Sequence, residues 1–205
     1  MNNSGSTGIT GMTLLTSFLM IGASSSFMFN DAEDLSKDAE QILNDVIDEI
    51  TTYLRIDDAI GKYYTTNGVR RIERIVIQVK QFIQNNINIS DITIKISNKD
   101  DMALLKYSGL AVEGNSGTIF DHEVWDQTTN SFSIITILDT DRSILDYGVM
   151  NEDIVFFAIK LPDRFCIDKN EAIMVSIVPG KGTITSVVLE APSVHISNVI
   201  SFESV

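Results

Sequence analysis

The sequence predicts an α+β protein in which a long N-terminal apolar helix precedes an all-β head, a sandwich or barrel of the immunoglobulin-like kind. Three observations predict this class. Residues 8–29 carry no charged side chain, residues 31–54 follow a helical period, and residues from about 69 to 205 alternate as strands do. We therefore expect two domains, the helix in residues 1–60 and the β head in residues 61–205.

The uncharged segment is long enough to cross a membrane, but its composition favours a helix bundle. As a helix, residues 8–29 would extend over about 33 Å, the thickness of a bilayer core. The segment is rich in Gly, Ser and Thr, which allow close helix–helix packing. A secretory signal peptide is disfavoured because the first positive charge is Lys37. The side chains that we expect to form a polymerisation core are Ile9, Met12, Leu14, Leu15, Phe18, Leu19, Met20, Ile21, Phe27, Met28 and Phe29.

An acidic amphipathic segment follows without a helix-breaking residue. Between Asp31 and Leu54, apolar residues recur every three or four positions, and carboxylates occupy the other positions. Neither Gly nor Pro lies between Ala23 and Ile60. The pattern therefore predicts one helix from about residue 6 to residue 58, ended by Gly61.

The remaining sequence predicts about eight short strands. They are rich in β-branched residues and separated by clusters of Gly, Asn, Asp or Pro. The predicted strands lie at residues 70–80, 91–97, 102–108, 131–139, 154–161, 171–178, 183–191 and 194–202. Strands at this spacing are typical of a sandwich or a closed barrel.

Composition and motifs exclude several functions. The net charge of −13 argues against a nucleic-acid partner, because phosphate binding requires a basic face. A single cysteine, Cys166, allows no intrachain disulfide and is predicted to be a buried small apolar residue. The two histidines, His122 and His195, are far apart, and no catalytic motif is present. We therefore predict no catalytic residues and no enzyme.

One group of oxygen ligands stands out near two predicted strand ends. Asp139 and Asp141 are two positions apart, and Asn151, Glu152 and Asp153 follow shortly after them in the sequence. A Ca²⁺ ion takes six to eight oxygen ligands from such loops. The same residues also fit two ordinary Asp-containing turns. The sequence leaves both readings open, with Asp139, Asp141 and Asp153 as the candidate metal ligands.

Two further features concern the surface of the head. Asn88-Ile89-Ser90 is an N-glycosylation sequon on a predicted loop, and we expect a glycan at Asn88. A second sequon at Asn2 is disfavoured, because a glycan there would clash with a packed helix. His122 and Trp125 are expected to pack at a loop or a subunit seam.

The order of segments resembles a known family. "GITGMTLLTSFLMIGASSSFMF" is similar to its N-terminal helix, "RIVIQVK" and "ISDITIKIS" to its first head strands, and "FSIITILDTDRSI" with "VMNEDIVFFAIKL" to its Asp-containing turn and strand pair. "IMVSIVPGKGTITSVVLEAPSV" is similar to its closing hairpin. The chain thus resembles an archaeal flagellin (archaellin), a type IV pilin-like filament subunit. It departs from the family in using Ser, Thr, Met and Phe in the helix. The family's basic leader is not part of this sequence, and we expect that Met1 begins the mature chain or that the leader was omitted. Gly5 replaces the glutamate of bacterial pilins.

The resemblance implies a structural role. The subunit would polymerise with itself or with closely related subunits, and the filament would stand on the cell surface and drive swimming. An envelope motor and assembly platform would be its partners during assembly. No cofactor is expected beyond the candidate Ca²⁺. The alternatives are an adhesive type IV-like pilin or a membrane-anchored extracellular binding module, with an enzyme third.

Overall fold

The computed structural model describes residues 41–43, 46, 53–66, 68–81, 86–114, 119–127, 130–194 and 197–202. The chain divides into two compact units, Met1–Ile47 and Asp48–Val205. In the first unit, residues 41–43 and 46 are helical. The other residues of the predicted N-terminal helix up to residue 52, including its polymerisation core, lie outside the described residues. In the described part of the chain, no helix is long and apolar enough to cross a membrane.

The described part of the second unit is mostly β. Its strands are β1 (Leu54–Thr66), β2 (Val69–Gln81), β3 (Ile87–Asn88), β4 (Thr93–Ser97), β5 (Met102–Glu113), β6 (Ser131–Leu138), β7 (Val149–Met150), β8 (Ile154–Lys160), β9 (Ala172–Val178), β10 (Thr185–Glu190) and β11 (Val199–Phe202). Its helices are α1 (Val124–Gln127) and α2 (Ser143–Tyr147), and single 3-10 turns occupy Ile89–Asp91, Ile119–Asp121 and Asp163–Phe165.

Nine strands form one sheet that nearly closes into a barrel. Their order is β10-β9-β4-β5-β6-β8-β2-β1-β11, and β3 pairs separately with β7. Neighbouring strands are antiparallel except β5 and β6, which are parallel. The β10 edge meets the start of β1, because Tyr53 forms a bridge with Thr183 and the Thr185 hydroxyl donates to the Leu54 carbonyl (2.6 Å). The head is therefore a single curved sheet, the barrel alternative of the predicted fold.

The barrel interior is filled by the inward-facing residues of every strand. Ile75, Ile77 and Val79 of β2 are fully buried, and the rings of Phe132 and Phe157 pack 5.3 Å apart. Burying one such side chain stabilises the fold by about 2 kcal/mol relative to exposure. This alternation explains why the clearest strand signals in the sequence are confirmed.

A second apolar cluster lies on the outer face of the sheet. It consists of Val76, Phe120, Val124, Trp125, Ile135 and Ala158. Here residues 119–127 cover strands β2, β6 and β8. The Arg74 guanidinium lies over the rings of Tyr64 (4.8 Å) and Trp125 (5.1 Å) and donates to the Phe120 carbonyl (3.0 Å). These cation–π contacts and this hydrogen bond stabilise the packing of residues 119–127 on the sheet.

All eight predicted strands are confirmed, as β2, β4, β5, β6, β8, β9, β10 and β11. The predicted helix to residue 58 is wrong at its C-terminal end, because β1 begins at Leu54. Gly61 does not end a helix but lies inside β1, where a Cβ atom would come within 2.9 Å of Ile72 and Phe202. The predicted boundary between residues 60 and 61 therefore falls within a strand.

The failure at β1 has a physical cause. Its pairing with β2 shifts register between Ile56 and Asp58, so that Asp57 is an extra residue. The alternation of buried positions consequently shifts by one residue. The buried residue before the bulge is Leu54, and the buried residues after it are Ala59, Gly61 and Tyr63. A bulge of this kind destroys the period-2 signal on which sequence-based strand assignment depends.

Candidate functional site

The three candidate metal ligands lie where β6 ends and β8 begins. Asp139 and Asp141 follow β6, and Asp153 directly precedes β8. These strands are antiparallel neighbours, with Leu138 opposite Ile154, so the two segments meet at one end of the barrel. One carboxylate oxygen from each aspartate lies within 4.8 Å of the others. The structure therefore brings together residues that are 14 positions apart in the sequence.

Backbone amides of the connecting segment orient the carboxylates. The Ser143 amide donates to Asp141 Oδ1 (3.0 Å), and the Leu145 amide donates to Asp139 Oδ2 (3.3 Å). The Asn151 amide donates to Asp153 Oδ2 (2.7 Å). Each aspartate thus supports a turn, as the alternative reading of the sequence expects.

The turns place two non-glycine residues in the left-handed region. Arg142 has φ 58° just before α2, and Glu152 has φ 59° just before Asp153. Such a conformation costs about 1 kcal/mol for a residue with a side chain. The Glu152 amide is held by Gln81 Oε1 (3.3 Å), a buried side chain at the end of β2. No sequence signal marks Gln81, because its role depends on the position of β2 beside β8.

The electrostatics of this cluster are unfavourable without a proton or a cation. Asp153 is only 3% exposed, and burial raises its pKa, with the charges of Asp139 and Asp141 acting in the same direction. Hydrogen bonds from Ser143 lower the pKa of Asp141. Asp139 Oδ1 is buried, and among the described residues no hydrogen-bond partner reaches it. No ion pair within the described ranges includes any of the three carboxylates.

The donor set fits a hard divalent cation. Carboxylate oxygens are the ligands that Ca²⁺ prefers, and three aspartates supply between three and six of its six to eight oxygens. Glu152, which the sequence grouped with them, does not belong to the converging set of carboxylates, and Asn151 contributes its backbone amide to Asp153.

The sequon residue Asn88 lies at the surface near this end of the barrel. It is exposed at the end of β3, opposite Val149 of β7. Its Oδ1 atom accepts hydrogen bonds from the Ser90 amide (3.1 Å) and the Ser90 hydroxyl (2.9 Å). The side chain is accessible to a modifying enzyme, and the glycan at Asn88 stays a prediction. Asn2 lies outside the described residues.

His122 lines a cavity beneath the segment that covers the outer face. The cavity measures about 240 Å³ and is lined by Gly114, Ile119, His122, Ile135, Thr136, Ile137 and Phe156. Both ring nitrogens of His122 are buried, and none of the described residues hydrogen-bonds to them. Trp125 is 2% exposed and stacks on Phe120 with the ring centroids 5.7 Å apart.

Cys166 is buried, as the sequence predicts. It is 8% exposed, and burial raises the pKa of its thiol to about 11. The thiol therefore stays protonated at neutral pH and is a packing residue.

The described part of the second unit is thus a nearly closed β barrel with an aspartate cluster at one end and an exposed sequon. No protein-family model matches the sequence. Flagellin B3 of Methanocaldococcus jannaschii is 24% identical over 209 aligned residues, which cover 97% of this chain and 95% of the relative.

Two solved structures share the fold. The crystal structure of archaeal flagellin FlaB1 from M. jannaschii matches with a TM-score of 0.63 and 19% identity, over 73% of this chain and 95% of that one. The archaeal flagellum of Methanospirillum hungatei matches with a TM-score of 0.65 and 14% identity, over 94% and 98%. The chain is therefore similar in sequence to one archaeal flagellin and shares its fold with two solved archaeal flagellin structures.

Proposed function

We propose that the chain is a structural subunit of an archaeal motility filament and polymerises outside the cell with copies of itself or with closely related subunits. The observation that carries this proposal is the likeness to Flagellin B3 over 97% of the chain, which includes the N-terminal segment. The filament fold of the M. hungatei flagellum supports it over 94% of the chain. The adhesive-pilin alternative has no comparable support. A motor and an assembly platform in the envelope complete the proposal as partners during assembly.

The apolar N-terminal segment provides the assembly energy in this proposal. Its core side chains, from Ile9 to Phe29, would each contribute about 1.5 kcal/mol when buried between subunits. Association retains only part of this gross sum after losses of translational and side-chain freedom. The head would then carry weaker contacts on the outside of the filament.

A buried charge in the segment tests this division. Leu19→Asp should abolish filaments, because an unpaired carboxylate between packed helices costs several kcal/mol in every copy. Leu19→Met keeps the apolar volume and should leave filaments intact. Thr65→Asp places the same charge at an exposed position of the head and serves as the matched control. Electron microscopy of the assembled material reads the result, and normal Leu19→Asp filaments would refute the proposed core.

We also propose that Asp139, Asp141 and Asp153 bind a divalent cation, with Ca²⁺ as the best match. The proposal is supported by the convergence of the three carboxylates and by the unpaired buried oxygen of Asp139. An ion there would neutralise the cluster and fix the connection between β6 and β8. Its contribution would be to head stability, with assembly left to the N-terminal segment.

The glycan at Asn88 is a separate proposal. Its support is the exposure of the Asn88 side chain on the rim of the barrel. Intact-protein mass spectrometry of filaments purified from the cells that make them would show added sugar mass. Asn88→Gln should remove that mass, whereas Asn86→Gln, at a neighbouring asparagine outside the sequon, should leave it unchanged.

A further inference from the structure

One half of the barrel surface is poor in carboxylates. The outward-facing positions of β10, β9, β4 and the first part of β5, up to Ser108, include only one acidic residue, Glu190. The chain as a whole has 28 Asp and Glu residues against 15 Lys and Arg. The Leu104 face consists of Leu104, Met102, Met174, Val188, Lys95 and Lys106. This surface is apolar with two positive charges, whereas the chain as a whole has a net charge of −13.

Strand pairing aligns these residues into a compact patch. Val188 lies opposite Met174, and Met174 and Met102 both lie opposite Ser97, so that they form one row across four strands. In the next row, Leu104 lies opposite Lys95. Residues directly opposite on neighbouring strands share one face of the sheet.

Leu104 is the most exposed apolar side chain of this patch. It is 59% exposed, compared with 55% for Met102 and 44% for Met174. Lys95 lies across from it, and Lys106 follows two residues later on the same face of β5. Among the described residues, neither lysine forms an ion pair. The patch therefore presents an apolar knob between two unneutralised ammonium groups.

The region around the far end of β5 has the complementary character. Leu104 lies near the start of β5, whereas Gly114, which directly follows β5, lines the cavity of about 240 Å³. The rest of the cavity lies at β6 and β8, where its apolar lining includes Ile135, Ile137 and Phe156. This cavity and its surroundings are called the His122 face.

Carboxylates surround the His122 face. Glu113 adjoins the lining residue Gly114, and Asp121 and Glu123 flank His122. All three are exposed, and Asp121 also pairs with Lys62 (2.9 Å). An apolar cavity with an acidic rim complements an exposed leucine between two lysines in polarity and in charge.

We propose that the Leu104 face of one copy docks on the His122 face of the next copy, with Leu104 entering the cavity and the two lysines near the acidic rim. This proposal rests on the proposed filament function. The two surfaces differ and lie at different ends of β5, so the contact is heterologous. A head-to-tail contact of this kind generates a closed ring or an open helical array, and the proposed filament corresponds to the open array, whereas a two-fold contact would stop at a dimer.

Cross-linking in assembled filaments tests the contact. The double variant Leu104→Cys with Ile137→Cys places one thiol on each face, and a short bismaleimide joins them only across the proposed seam. Cys166 does not compete, because it is buried and its thiol pKa is about 11. We expect a ladder of covalent oligomers from the double variant and only monomers from each single variant. The matched control is Val69→Cys with Ile137→Cys, since Val69 is 53% exposed but lies outside both faces. It should give no ladder.

The other outcomes are distinguishable. Filaments that form but give no ladder, both with Leu104→Cys and with Met102→Cys as a second donor position, overturn the docking and leave the filament function standing. Dimers from Leu104→Cys alone overturn the head-to-tail arrangement, because they require two like faces to meet. A wild-type chain that forms no filaments overturns the proposed function and this contact with it.

Discussion

The barrel interior and the aspartate cluster at its end are both buried, but different forces make that burial tolerable. Ile75 and Ile77 gain stability from leaving water, whatever the ionic conditions. Asp153 is almost as buried, and its carboxylate is tolerated only with hydrogen bonds and with a proton or a cation. The interior should therefore respond to volume changes and the cluster to solution conditions.

The largest effect is expected in the interior. Phe157→Ala removes a fully buried ring that packs on Phe132, and should lower the free energy of unfolding by about 4 kcal/mol. Urea unfolding followed by circular dichroism measures it. Met174→Ala, at a side chain that is 44% exposed, should change stability by less than about 0.5 kcal/mol. Equal losses from the two variants would contradict the core assignment.

A smaller loss is expected where two strands approach closely. Gly61→Ala places a Cβ atom 2.9 Å from both Ile72 and Phe202, and should cost about 1–3 kcal/mol. Urea unfolding measures the loss, and an unchanged or increased free energy of unfolding would contradict the close approach of Gly61 to Ile72 and Phe202. Thr65→Ala, at an exposed position of β1, is the control.

The cluster should respond to calcium, and the interior should not. If an ion binds Asp139, Asp141 and Asp153, calcium at 100 times its dissociation constant stabilises the head by about 2.7 kcal/mol. Calorimetry with calcium and with chelator, at fixed ionic strength, measures the difference. Asp153→Asn should lose the calcium response, whereas Asp126→Asn, at an exposed carboxylate outside the cluster, should keep it. An unchanged wild-type transition would leave the aspartates as turn residues only.

The smallest predicted effect is a pH dependence in the absence of divalent ions. Burial raises the pKa of folded Asp153 above the unfolded value of about 3.9. The folded state therefore binds the proton more tightly, and this stabilisation is complete below pH of about 3.9 and is lost as pH rises through the raised pKa. The stability of the wild type minus that of Asp153→Asn should thus fall as pH rises from about 4 towards 7 in chelator. A difference that is flat or rises with pH would contradict the assignment.

Sequence alone determined much of this head. The eight predicted strands are present because their alternation is local, as β2 shows with Ile75, Ile77 and Val79 on one face. The buried state of Cys166 and the candidate set of three aspartates were also readable, since residue type and spacing carry those signals. The family resemblance came from the order of these segments and agrees with the comparison over 97% of the chain.

Tertiary structure decided the rest. Strands β1 and β2 both have 13 residues, but only β2 shows a clear alternation. In β1 the extra residue Asp57 shifts the buried positions by one residue, and this shift is defined only by the pairing with β2. The two-residue strands β3 and β7 are too short to carry a pattern and exist because they pair with each other. The closure of β10 on β1 and the meeting of Asp139 with Asp153 likewise depend on which strands become neighbours. The hydrophobic period and the composition are properties of a short stretch of sequence. Strand register, closure of the barrel and convergence of the aspartates depend on contacts between distant segments, and the free energy of the whole barrel selects those contacts.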